Sequence, residues 1–355
     1  MSLTDHLHRK SDPIRVFLDE RLVDFSPAKE KWCEAESGRL LATEADSWSL
    51  VGLAIDHRIR MMLAPMSIPV PPEERQSIYG TNLPSVLSEL EAILQRHDGR
   101  LGELPPDEET HLLQICYVLA MYDAFNRGSF ASKRNSPLYT LKSGAKWRAH
   151  LNRVSERDIA VLQALVEPAA ELFPLVSSPK VFIGPVFADS HLVDGADGDL
   201  IINGNLIEIK CEAPGFRAGA VRQAIAYSLL DTTNEYELKK CSIYLARFGG
   251  FASWDLNEII REVSHGRCGY ESLRQEFHAW LVSKEMERQA KLDVRAESQR
   301  RFATQWQAVS DATDEYVKSL SFGLDASLLA LTKLGREQTE LRRLESETGL
   351  DVYWS

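Results

Sequence analysis

From Ile14 to about Arg127, hydrophobic residues recur three and four apart, the spacing of amphipathic helices, in at least three usable segments. One runs through LVGLAIDHRIRMML, capped by Ser47 or Ser49 and stopped at Ala64-Pro65. A proline-rich loop, SIPVPPEERQ, separates it from LPSVLSELEAILQRH, which is entered at Thr81-Asn82 and ended by Asp98-Gly99. Asp107 caps a third segment, EETHLLQICYVLAMYDAFNRG, whose apolar face needs a partner. A fourth helix begins at Ser155 to Asp158 and continues through DIAVLQALVEPAAELFPLV. The pattern then turns to strands: Lys180 to Ile183, a hairpin within Asp194 to Cys211, and, after a helix from Arg217 to Leu230, two apolar runs at Cys241 to Ala246 and Phe251 to Trp254. From Leu256 onward it is helical again, through LNEIIREV, a charged helix continuing to Gln307, and segments from Asp311 to Ser321 and Ala326 to about Glu347.

The hairpin fixes its own register. Asn203-Gly204 between two β-rich runs is the preferred type I′ turn, which needs positive φ at both central positions. Ile202 then faces Asn205, Ile201 faces Leu206, Leu200 faces Ile207, Asp199 faces Glu208 and Asp197 faces Lys210. By alternation, Asp197, Asp199, Ile201, Leu206, Glu208 and Lys210 share one face, and Leu200, Ile202, Ile207 and Ile209 the other.

Two carboxylates placed opposite each other destabilise a sheet by roughly 0.2–1 kcal/mol, more when desolvated. A hard cation offsets that cost, because Mg²⁺ takes oxygens from one or two carboxylates and keeps waters for the rest of its octahedron. Lys210 beside the pair is placed to orient a water, help deprotonate it, or steady the charge of a reacting phosphate. The plain alternative is an exposed polar hairpin in which Lys210 pairs with Asp197.

Asp199 followed by Glu208-Ile209-Lys210 resembles the D…(D/E)xK signature of the PD-(D/E)XK nuclease superfamily. Gln223 and Tyr227, four apart after the lysine strand, resemble the QxxxY helix of its RecB-like branch. GADGDLIINGNLIEIK is similar to the GADxDLIxxGxLIxIK pattern of uncharacterised bacterial proteins related to that branch. The resemblance covers roughly residues 182 to 256. It implies an α/β (α+β) fold with a restriction-endonuclease-like mixed sheet, flanked here by N-terminal and C-terminal helical regions. It further implies Mg²⁺ or Mn²⁺ held by Asp199, Glu208 and the backbone carbonyl of Ile209, with Lys210 assisting hydrolysis and Gln223 and Tyr227 positioning the phosphate. Asp197 is a rival metal ligand and Glu171, from the preceding helix, a helper acid. Asp199 is favoured over Asp197 because it lies across from Glu208. Two departures stand out: Gly198 where the superfamily has proline, and Cys211 where threonine or serine usually follows the lysine.

Composition modifies this picture in three places. The formal net charge of −11 argues against a generally basic nucleic-acid coat. Between Ala124 and Ser155, however, there is no acid, and Lys133, Arg134, Lys142, Lys146 and Arg148 gather beside Phe130, Tyr139 and Trp147, so this stretch is either a nucleic-acid contact surface or a solvated linker. Five scattered cysteines without a CxxC pair indicate neither a disulfide framework nor a zinc site and fit a reducing cytoplasm. No signal-peptide core or membrane span is expected. HExxH, GxxxxGK[ST], GxSxG and strand-linked GxGxxG are absent.

The expected layout is a helical region at 1–127, a basic linker at 128–154, a nuclease-like core at 155–265 and a helical region at 266–355. The expected function is Mg²⁺-dependent hydrolysis of phosphodiester bonds, in DNA before RNA. The alternative is a nuclease-fold protein without turnover, serving as a nucleic-acid-binding or assembly subunit. A role in bacterial defence is compatible with hydrolysis but is not written in these residues. A stripe of Leu328, Leu331, Leu334 and Leu341 serves either a homo-oligomer or packing on the N-terminal helices.

Overall fold

The computed structural model describes residues 2–63, 89–90, 92–93, 95–97, 104–127, 138, 148–151, 154–172, 180–320 and 324–348. Side-chain caps start the first two helices: Ser2 accepts the Asp5 N–H at α1 (Leu3–His8), and Asp12 accepts the Ile14 N–H at α2 (Pro13–Arg21), which opens on proline. They are followed by α3 (Lys29–Ala35), α4 (Trp48–Leu63), α5 (Pro106–Arg127), the short α6 (Arg148–Leu151) and α7 (Glu156–Leu172). The helix expected between Thr81 and Asp98 lies largely outside the described residues.

The order then becomes β1 (Val181–Ile183), β2 (Leu200–Ile202), β3 (Asn205–Lys210), α8 (Ala218–Leu229), β4 (Lys240–Leu245), β5 (Gly250–Asp255) and α9 (Leu256–Val263). These strands form one mixed sheet in the order β1-β2-β3-β4-β5. Only the β3–β4 pair, joined through α8, is parallel. Asn203 and Gly204 take φ of 51° and 75°, as a type I′ turn requires, and Leu200↔Ile207, Ile201↔Leu206 and Ile202↔Asn205 pair as expected.

The apolar face of the hairpin finds the partner that the N-terminal helices lacked. Leu200, Ile207 and Ile209 pack in one core with Val51, Ile55 and Ile59 of α4, Leu112 and Cys116 of α5, and Leu162 and Leu165 of α7. Each large side chain so buried contributes roughly 1.5–3 kcal/mol. The opposite face of β3 and β4 meets α8. The result is a mixed α/β unit with helices on both faces of the sheet, and among the described residues no helix is long and apolar enough to cross a membrane.

Chain contacts divide the protein into two units, Met1–His278 and Ala279–Ser355. The helical N-terminal region and the sheet thus share the first. The second consists of the later part of α10 (Tyr270–Ser319) and α11 (Leu324–Thr348). The break expected between Gln307 and Asp311 is absent, and α10 runs through it. Leu334 and Leu341 of the leucine stripe are buried with Val309 and Ala312 of α10, whereas Leu331 is 47% exposed and the Leu328 side chain lies outside the described residues.

Close backbone approach in the first unit yields a stability prediction. A Cβ on Gly250 would stand 2.4 Å from the Ala35 carbonyl oxygen, and a main-chain atom cannot swing aside as a flexible side-chain tip does. Gly250→Ala should therefore push α3 off β5 at a cost of about 1–3 kcal/mol, read as a lower urea midpoint.

Candidate functional site

β3 closes with Glu208-Ile209-Lys210. Ile209 enters the apolar core, so alternation turns Glu208 and Lys210 toward α8. Lys210 Nζ donates to Glu208 Oε2 at 3.1 Å and to Gln223 Oε1 at 3.2 Å. Gln223 and Tyr227 share a face of α8, and the Gln223 amide donates to the Tyr227 hydroxyl at 3.2 Å. Thr4 of α1 completes this group: Gln223 Nε2 donates to Thr4 Oγ1 at 3.2 Å, and the Tyr227 hydroxyl lies 3.0 Å from the same oxygen. The four residues expected from β3 and α8 therefore do converge. Thr4 carried no sequence signal.

Asp199 reaches the group by a different route. The β2–β3 ladder stops at Leu200↔Ile207, one pair short of the expected Asp199–Glu208 pairing. The Asp199 carbonyl accepts the Gly184 N–H at 3.0 Å, and its side chain turns to β3, where Oδ2 accepts the Ile209 N–H at 2.7 Å. The carboxylate thus takes over a main-chain donor that β2 no longer satisfies. Alternation along β3 sends the Ile209 carbonyl to the same side as its N–H.

Asp197 does not join them. It is exposed and forms an isolated antiparallel bridge with Val186, and Lys210 pairs with Glu208 and Gln223 instead. The expected Asp197–Lys210 pair is corrected accordingly, for the chain leaves the ladder before reaching it. Gly198 explains its own departure from proline: a Cβ there would meet Leu206, Pro185 and Phe187 within 3.1 to 3.3 Å. Cys211 lies under α4, its Cβ 3.2 Å from where a Cβ on Gly52 would be, and burial pushes its thiol up to about 12. The Glu171 side chain lies outside the described residues, as do Lys133, Arg134, Lys142 and Lys146. Arg148 is turned onto Glu89, with Nη2 to Oε2 at 2.8 Å.

The other residues missed from sequence come from α4. Gly52, Asp56 and Arg60 recur every four positions along one side of that helix. Gly52 allows close approach to Cys211, Asp56 Oδ1 accepts from Arg60 Nε at 2.8 Å, and Arg60 Nη2 donates to Asp199 Oδ1 at 3.1 Å. Arg60 is therefore one counterion for the acid pair, and Lys210 is the other.

Burial governs the electrostatics. Desolvation, then the Asp199 charge, pushes the Glu208 carboxyl up to about 7, against the pull of Lys210 and the Asp199 N–H. Desolvation and the nearby Asp56 raise Asp199 against the pull of Arg60 and Lys210. Burial works to lower Lys210, but Glu208 and Asp199 outweigh it and hold the ammonium form. Burial and the Glu208 carboxylate push Tyr227 up to about 12, leaving it a neutral donor or acceptor.

The donor set suits a hard, partly hydrated cation. Glu208 is 2% exposed, and its buried Oε1 makes no hydrogen bond of normal geometry, although the Asp199 N–H lies near the carboxylate. Asp199 and the Ile209 carbonyl are directed to the same edge of β3. Among the described residues no group of three His, Cys, Asp or Glu gathers for a metal. Two carboxylates plus a carbonyl are what Mg²⁺ needs when waters fill its remaining positions. No protein family, curated protein or solved structure matches the chain.

Proposed function

We propose that the Asp199, Glu208 and Lys210 cluster is a metal-dependent phosphodiesterase site, that of a nuclease acting on DNA on a restriction-endonuclease-like core. The observation that carries this reading is the buried Oε1 of Glu208, without a hydrogen bond of normal geometry, beside Asp199. The sequence of strand pairings, with β3 and β4 parallel across α8, supports it.

Asp199, Glu208 and the Ile209 carbonyl would hold Mg²⁺ or Mn²⁺. When bound, the cation supplies the positive charge that polarises a phosphodiester and acidifies water. Lys210, kept protonated by its two acidic neighbours, donates toward charge developing on the phosphate and is not the proton acceptor. Gln223 fixes the Lys210 ammonium from the α8 side, and Tyr227 and Thr4 fix the Gln223 amide in turn. Held in this way, the ammonium needs little reorganisation as the reaction proceeds.

A second reading, a nucleic-acid-binding or assembly subunit without turnover, draws on the ion pair of Arg60 with Asp199, which compensates the acid without any cation. Purified chain given Mg²⁺ or Mn²⁺ with single- and double-stranded DNA and RNA separates the two. The nuclease reading expects DNA cleavage that a chelator abolishes. Intact substrates throughout, with no calorimetric cation binding dependent on Asp199 and Glu208, would leave the second.

A further inference from the structure

Arg60 occupies the position from which cation and substrate binding would be linked. Its guanidinium is tied on one side to Asp56, at 2.8 Å, and on the other to Asp199 Oδ1, at 3.1 Å. Its seat is close-packed. Gly184 has φ of 60°, a backbone that favours glycine, and a Cβ there would lie 3.2 Å from Arg60 Nη1 and press on the guanidinium. The Gly184 N–H in turn holds the Asp199 carbonyl at 3.0 Å, which locks loop, acid and arginine together. Both oxygens of Asp199 are already engaged, Oδ2 by the Ile209 N–H and Oδ1 by Arg60.

Charge balance gives the arrangement its consequence. Asp56, Asp199 and Glu208 against Arg60 and Lys210 leave one net negative charge when all are ionised. A divalent cation reverses that sign, and a phosphodiester restores neutrality. We propose that Arg60 couples the two: its guanidinium competes with a divalent cation at Asp199 while no substrate is present, and shares a phosphodiester with that cation when DNA arrives. Arg60 is then a positioning residue that makes cation loading depend on the nucleic acid, and its planar fork suits both a carboxylate and a phosphate. This rests on the cation site proposed above.

Calorimetric titration of the full chain with Ca²⁺, with and without a saturating single-stranded DNA oligonucleotide, tests it. For the wild type, the oligonucleotide should tighten Ca²⁺ binding by about fivefold or more. Arg60→Gln should tighten Ca²⁺ binding in the absence of DNA by a similar factor and abolish the gain that DNA brings. Arg60→Lys, which keeps the charge, should stay near the wild type in the absence of DNA, and this also guards against a folding defect in the glutamine variant, checked by thermal melting. Asp199-dependent Ca²⁺ binding that is unchanged, or weakened, in Arg60→Gln overturns the role of Arg60 while leaving the cation site standing. A wild type that binds no Ca²⁺ in either state overturns both.

Discussion

Lys210→Met should lower cation-dependent DNA cleavage by about 10²–10³-fold, the loss that follows removal of one preorganised donor aimed at developing charge. The methionine fills much of the lysine's volume, so packing against α8 is largely kept. What disappears is the ammonium that bridges Glu208 Oε2 and Gln223 Oε1. Steady-state rates at saturating Mg²⁺ check this, with near-normal KM for DNA distinguishing loss of charge stabilisation from loss of substrate binding. Wild-type rates in this variant would remove Lys210 from the chemistry.

The largest stability effect is expected at Arg58, on the side of α4 opposite the one that carries Asp56 and Arg60. Its side chain is fully buried and makes a fork to Glu109 of α5, with Nε to Oε1 at 2.8 Å and Nη2 to Oε2 at 2.7 Å. Arg58→Met strands a carboxylate that is only 17% exposed, so unfolding free energy should fall by about 3–5 kcal/mol. Arg58→Met combined with Glu109→Leu should recover most of that loss, because removing both members of a buried pair relieves the desolvation that each imposed. Urea denaturation of the two single variants and the double gives the coupling directly; a double variant as unstable as Arg58→Met would show that the pair is not the source.

Local rules made half of the candidate site legible. Asn203-Gly204 specified the turn, the turn specified three strand pairs, and strand alternation with helical spacing put Glu208, Lys210, Gln223 and Tyr227 together. Asp56, Arg60 and Thr4 were invisible because the information is non-local. Arg60 meets Asp199 across 139 positions, and Asp56 with Arg60 reads in sequence as an ordinary i,i+4 pair on a helix surface. The hairpin reading failed beyond Leu200 for the same reason: alternation assumes that a strand continues, whereas Val186 draws Asp197 away. No proline interrupts the charged C-terminal helix between Gln307 and Asp311, and α10 runs on through the expected break.

Where β2 leaves off, the Asp199 side chain impersonates the missing strand. Its carboxylate is at once a candidate charge and a piece of scaffolding, and truncation cannot separate the two. Alanine at 199 would discard the charge and strand the Ile209 N–H together, whereas asparagine subtracts the charge and retains an oxygen for that N–H. The tolerated chemistry at this corner is thereby narrowed to short side chains ending in a carbonyl oxygen, whatever reaction the cluster performs.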